Sequence, residues 1–323
     1  MRRPAGPEGM PRETTRVLTY ALALLAACAN AAASVLQRKA NRGLGEHGSL
    51  SVARVAPLLR DPVWISGFLA VIAGFVLQAA ALTVGALAVV EPVLVFELPL
   101  ALLLASRVFH GRLHRREWAC VLGMTAGLAV MLYFLAPGGG DANRVSPYVW
   151  LTAVLLTLAV AGGTVAWGRR AESSGDDPAS GSRAAAAFGV AAGSLFGLAA
   201  ALMKGAMSRY ADGFTAILTA WQLYAMAVTG LVAMFLLQSA MHAGRLLAAQ
   251  PGLTLSDPLL SVLWGVLVFG EDVRGGWDTA FALLGAALIV ASVLVLARSP
   301  LLTVETDETA PRARAEDATA RRP

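Results

Sequence analysis

The feature that most limits what this chain can fold into is a series of long apolar blocks. They lie at 17–37, 63–84, 86–106, 117–136, 147–168, 184–204, 216–240, 247–270 and 277–297. Each runs for roughly 20 residues, the length an α-helix needs to cross the hydrocarbon of a bilayer. Barrel strands would alternate with period two and be much shorter, so the blocks predict helices. A soluble domain must keep its outer face polar, and a chain of 323 residues that is 57% hydrophobic and 15% charged has too little polar surface for that. The expected fold class is all-α, a polytopic membrane helix bundle of about nine transmembrane helices with the lipid bilayer as its surround.

The formal charge of +5 invites a nucleic-acid reading, but the basic residues stand in short clusters between apolar blocks, a pattern of membrane orientation. No nucleic-acid partner is expected. Of the 26 Lys and Arg residues, 18 fall on the side that holds the C-terminus when nine spans are counted. The positive-inside rule then puts the C-terminus in the cytoplasm and the N-terminus outside a cell membrane. If the more polar 41–61 segment were embedded, ten crossings would bring the N-terminus inside. Cys28 and Cys120 lie within apolar blocks, which supports neither a disulfide framework nor a zinc site. Leu25-Ala26-Ala27-Cys28 has the look of a lipoprotein cleavage site, yet the apolar run continues past it to Leu36, so it reads as part of the first span.

The blocks fall into two related sets. Shifted by 159 residues, Gly85–Trp118 lies over Gly244–Trp277 without a gap, and ten of 34 positions match. Leucine matches are common in apolar helices. Pro92/Pro251, Pro99/Pro258, Gly111/Gly270 and Trp118/Trp277 carry more weight, because proline and glycine have backbone roles that do not interchange. The third and eighth spans are thus mates five crossings apart, an odd number, which predicts two inverted-topology repeats. The expected organisation is a polar N-terminal segment (1–16), a first repeat (17–136), a linker with one extra span (137–183), a second repeat (184–297) and a disordered tail (298–323).

Inverted repeats place substrate between the halves near the midplane, where rocking gives alternating access. Ionisable groups there are costly, adding ~2.5–3.5 kcal/mol for an acid at a helix centre on insertion scales. Glu91 and Glu97 in the third span and Asp257 in the eighth are therefore the leading candidates for a cation or proton pathway. Gln250, Thr254, Asp257 and Ser261 recur on one helical face, as do Asn30, Ser34 and Gln37. Gln78 and Gln238 add amides in corresponding spans. Such faces either line a cavity or glue helices together. Pro92, Pro99, Pro251 and Pro258 are candidate kinks that free backbone carbonyls. Lys39 and Lys204, the two lysines beside 24 arginines, read as snorkelling anchors at helix ends, and Glu271 and Arg112 as solvated loop residues.

No catalytic motif of a known hydrolase, metalloprotease or nucleotide-binding loop is present, so neither enzyme activity nor a cofactor is expected. The expected activity is that of a secondary transporter or facilitative permease for a small solute or cation. A membrane enzyme acting on a lipid-linked substrate and a non-transporting assembly subunit are the competing readings, and a homodimer is compatible with all three.

The run from Pro258 through Phe269-Gly270-Glu271 to Gly285 resembles the EamA-type halves of the drug/metabolite transporter superfamily: a proline-led helix, a Gly-Glu turn and a Gly-rich helix. The first half departs from it, with Arg112 where Glu271 stands. Nine spans, and the stretches Asn30–Lys39 and Trp64–Gly67, look like the NIPA-type magnesium transporter branch. That resemblance implies Glu91, Glu97 and Asp257 as the first places to look for cation coordination. Mg²⁺ favours oxygen ligands and retains waters, so two or three carboxylates would serve it.

Overall fold

The computed structural model describes residues 12–42, 61–109, 115–173, 178–243 and 246–297. Residues 1–11, nearly all of the 41–61 stretch, the loop with Arg112 and the tail from 298 lie outside these, so the expectations placed on them are not addressed.

Eleven α-helices make up most of the described chain: α1 (Arg12–Arg42), α2 (Pro62–Val84), α3 (Leu87–Leu94), α4 (Glu97–Val108), α5 (Arg115–Leu135), α6 (Pro147–Glu172), α7 (Pro178–Met207), α8 (Phe214–Thr219), α9 (Trp221–Ala243), α10 (Leu246–Leu263) and α11 (Trp277–Ala297). Two-residue strands β1 (Gly138–Gly139) and β2 (Glu271–Asp272) pair antiparallel. Among the described residues nine helical spans are long and apolar enough to cross a membrane, with α3 and α4 together forming the third. The chain is thus an all-α polytopic membrane bundle. Large apolar side chains such as Phe75, Leu155, Phe235 and Leu283 point outward, as a lipid-facing surface requires.

Local chemistry sets several helix starts. Asp61 accepts from the Val63 amide at 2.8 Å, with Pro62 in the first turn where no amide is needed. Ser146 and Pro147 do the same for α6. α1 and α7 outrun their apolar blocks at both ends, because helix propensity does not stop where hydrophobicity does.

α7 lies at the centre, packed by α6, α9 and α10. Its buried face is built from small residues, among them Ala184, Ala191, Ala192 and Ala201. Gly189, Gly193 and Gly197, four apart, lie against the α10 backbone, and a Cβ on Gly193 would stand 2.5 Å from the Leu253 carbonyl oxygen. Small residues drive such close approach in lipid, where no hydrophobic force separates inside from outside.

The pairing of helices repeats. α1 packs on α2 as α7 packs on α9, while α5 and α11, the last helix of each half, pack on one another. There Gly127 and Gly285 meet reciprocally: a Cβ on either would approach the other's carbonyl oxygen to 2.7 and 2.6 Å. They are 158 residues apart, one off the repeat register. The third span begins where the eighth ends, since the Leu87 amide donates to Glu271 just beyond α10. The two mates therefore run in opposite directions.

Candidate functional site

The third span does not cross as one helix. Pro99 has no amide to offer the Val95 carbonyl, and the ladder breaks there. Phe96 donates to Val93 at 3.0 Å and Leu98 to Val95 at 3.2 Å, short-range bonds that leave a two-residue turn between α3 and α4. Glu97 opens α4 at this break. Its mate α10 holds Pro251 and Pro258 within a continuous helix, and the departure from regular geometry comes later, in a π-turn over Trp264–Val268.

Around the break the structure gathers several of the candidate residues. Glu91, buried at 4% exposure, accepts a 2.8 Å hydrogen bond from the Gln78 amide of α2. Glu97 accepts from Ser34 Oγ at 3.2 Å and from Asn30, both on α1. Gly74 of α2 leaves room for the Asn30 side chain, whose Oδ1 occupies the space a Cβ would take. Asp257 of α10 interacts electrostatically with both Glu91 and Glu97. Its Oδ1 is buried without a hydrogen-bond partner among the described residues, as is Ser261 Oγ one turn further on. Three carboxylates from two antiparallel spans thus share one region of the bundle.

Other candidates stand elsewhere. Gln37 packs against Gly67 near the far end of α1, and Gln238 is exposed toward the end of α9. Thr254 is half-buried on α10, and the side chain of Gln250 is not described. Among the described residues no group of three or more His, Cys, Asp or Glu side chains converges on one metal position. A divalent ion at the carboxylates would therefore have to retain much of its water, which Mg²⁺ does readily.

Two residues take places that the sequence did not suggest. Lys204 is not a snorkelling anchor: its Nζ donates to the Leu82 carbonyl at 2.7 Å and to that of Gly85 at 2.5 Å, at the C-terminal end of α2. Glu271 is not solvated: it is 3% exposed and accepts from the amides of Leu87 at 2.6 Å and Ala88 at 2.9 Å, the first turn of α3. Burial raises the Glu271 carboxyl above its ordinary range, while the Ala88 and Leu87 amides and the Lys204 charge pull it back. A helix C-terminus attracts a cation and an N-terminus an anion, so each charge sits where the backbone wants it. Chain order alone could not reveal this, because Lys204 and Glu271 are far in sequence from the turn they hold.

At the same end of the bundle a cavity of about 510 Å³ opens between α6, the end of α7 and the start of α9. Asn143, Trp150, Arg209, Trp221 and Gln222 line it. Trp150 and Trp221 meet edge to face at 5.4 Å. Gln222 is 6% exposed, and its Oε1 has no partner among the described residues.

No protein-family model matches the chain. No solved structure matches it either. The chain is similar to an uncharacterized protein of Corynebacterium glutamicum, 29% identical over 294 residues that span 90% of this chain and 97% of the relative.

Proposed function

We propose that this protein is a secondary transporter or facilitative permease whose central site handles a cation or protons. The observation that carries the reading is that Glu91, Glu97 and Asp257, from two antiparallel spans that pack together, lie in one region of the bundle. Among the described residues no Lys or Arg forms an ion pair with any of the three. Buried negative charge without compensation is costly, so a group of this kind calls for a bound cation or for protons. Inverted repeats meeting at a midplane site supply the two-sided cycle that transport needs. Membership of the drug/metabolite transporter superfamily, with hydrated Mg²⁺ as one cargo, accords with this reading. So does a cell-membrane location with the C-terminus in the cytoplasm. The cavity beside Trp150, Arg209 and Trp221 favours a second version, in which a small metabolite is the cargo and the carboxylates hold the coupling ion.

Reconstitution in liposomes tests it. Uptake of Mg²⁺ and of a metabolite panel is measured with and without a proton gradient, for the wild type and for Glu97→Ala and Asp257→Ala. Flux that both substitutions cut at least tenfold is expected. No flux of any solute, or flux unchanged by both, sinks the proposal.

A further inference from the structure

The α2–α3 turn is the point where the polypeptide reverses direction at the end of the bundle where α1 begins, and two charged residues of the second half hold it. Lys204 of α7 binds the carbonyls of Leu82 and Gly85, on one side of the turn. Glu271 of β2 binds the amides of Leu87 and Ala88, on the other. The two charges also attract one another. The fold makes room for the carboxylate. A Cβ on Gly265 would press into the Glu271 carboxylate, 2.8 Å from its Cδ, and a Cβ on Gly140 would lie 2.6 Å from its Cγ. Pairing of β1 with β2 and donation from the Asp141 amide to the Phe269 carbonyl at 3.0 Å fix the segment that bears Glu271.

What the two residues bracket is the first-half arm of the candidate site. Leu82 is one helical turn beyond Gln78, and Leu87 is one turn before Glu91. Gln78 and Glu91 are the partners of the 2.8 Å hydrogen bond described above. We infer that Lys204 and Glu271 are positioning residues: a clasp reaching from the second half that sets the α2–α3 turn and so holds the Gln78–Glu91 pair in register. In the repeat register Arg112 stands opposite Glu271, and a cation cannot cap a helix N-terminus. The carboxylate of the clasp is thus not repeated in the sequence of the first half. The inference rests on the transport reading for the role of Glu91, but not for the clasp itself.

The test uses the purified full chain and needs no transported solute. Hydrogen exchange of the Leu87 and Ala88 amides is measured in wild type, Glu271→Gln and Lys204→Met, together with the rate at which dicyclohexylcarbodiimide modifies Glu91, followed by mass spectrometry. Glu271→Gln is expected to speed exchange of those amides at least tenfold. Both variants are expected to change Glu91 modification at least threefold, with modification of Glu117 at the other end of the bundle as the unchanged reference. Gln78→Ala should alter Glu91 modification by a similar factor without touching the amides. Exchange and modification within twofold of wild type overturn the inference, and so does an equal rise at Glu117, which marks general loosening. Where Glu271→Gln does not fold, Lys204→Met decides through Glu91 alone. A wild type that carries no flux yet shows these changes leaves the clasp standing and defeats the transport proposal instead.

Discussion

Replacing Gly265 by alanine measures how closely the Glu271 carboxylate is housed. The added Cβ would lie 2.8 Å from Glu271 Cδ, closer still to Oε2, and 3.2 Å from the Ala88 nitrogen. The backbone nitrogen cannot yield, since it belongs to the first turn of α3. The side chain must therefore withdraw by about an ångström, enough to stretch bonds of 2.6 and 2.9 Å beyond useful length. A hydrogen bond to a charged group contributes about 1.5–3 kcal/mol, and strain from overpacking adds to the loss, so a destabilisation of about 3–5 kcal/mol is expected. Reversible unfolding in mixed micelles titrated with SDS gives the number. The decisive comparison is the same substitution in a Glu271→Ala background, where the obstructing carboxylate is gone. There the cost of Gly265→Ala should fall to about 1 kcal/mol or less, a coupling that only neighbours show. An equal cost in both backgrounds refutes the reasoning, because the penalty would then come from the π-turn backbone and not from Glu271.

Gly193→Leu places a bulky group where the Leu253 carbonyl approaches, and separation of α7 from α10 should abolish the folded monomer in detergent, seen as loss of the sharp size-exclusion peak; a normal peak would disprove the close crossing. Gln78→Ala removes a hydrogen bond to the Glu91 carboxylate worth about 1.5 kcal/mol, so the cation concentration giving half-maximal flux should shift about tenfold, and an unshifted value would take Gln78 out of the site. Single cysteines at Asp272 and at Arg115 should label from opposite faces of oriented vesicles; labelling from one face would contradict the antiparallel mates. Trp221→Ala opens the aromatic wall of the cavity, and a metabolite cargo bound there should show at least tenfold weaker uptake with Mg²⁺ flux unaltered.

Much of the frame was legible because its cause is local. Membrane insertion follows from block length and polarity, which each segment carries by itself, and the described helices fall on the nine blocks, α2 and α11 almost to the residue. The pairing of repeat mates was legible from Pro92, Pro99, Pro251 and Pro258, because proline constrains its own backbone wherever the helix goes. Glu91, Glu97 and Asp257 stood out for a related reason: a carboxylate in an apolar block has to be compensated by something. The Gly189, Gly193 and Gly197 stripe is legible in the same way, by its spacing of four.

What the tertiary structure alone decided is the partner of each group. Sequence ranks Asn30, Gln37, Gln78 and Gln238 alike, and only packing brings Gln78 to Glu91 and Asn30 to Glu97 while leaving Gln37 against Gly67. The same two prolines break α3 from α4 yet leave α10 continuous, because the surroundings determine whether a freed carbonyl is tolerated in a helix or relieved by a turn. Lys204 and Glu271 show the limit most plainly. A lysine at a helix end and a glutamate in a Gly-Glu turn look solvated when their neighbours in the chain are all that is known. Their actual ligands, four backbone groups of the α2–α3 turn, are more than a hundred residues away, and charge at that separation is a property of the fold.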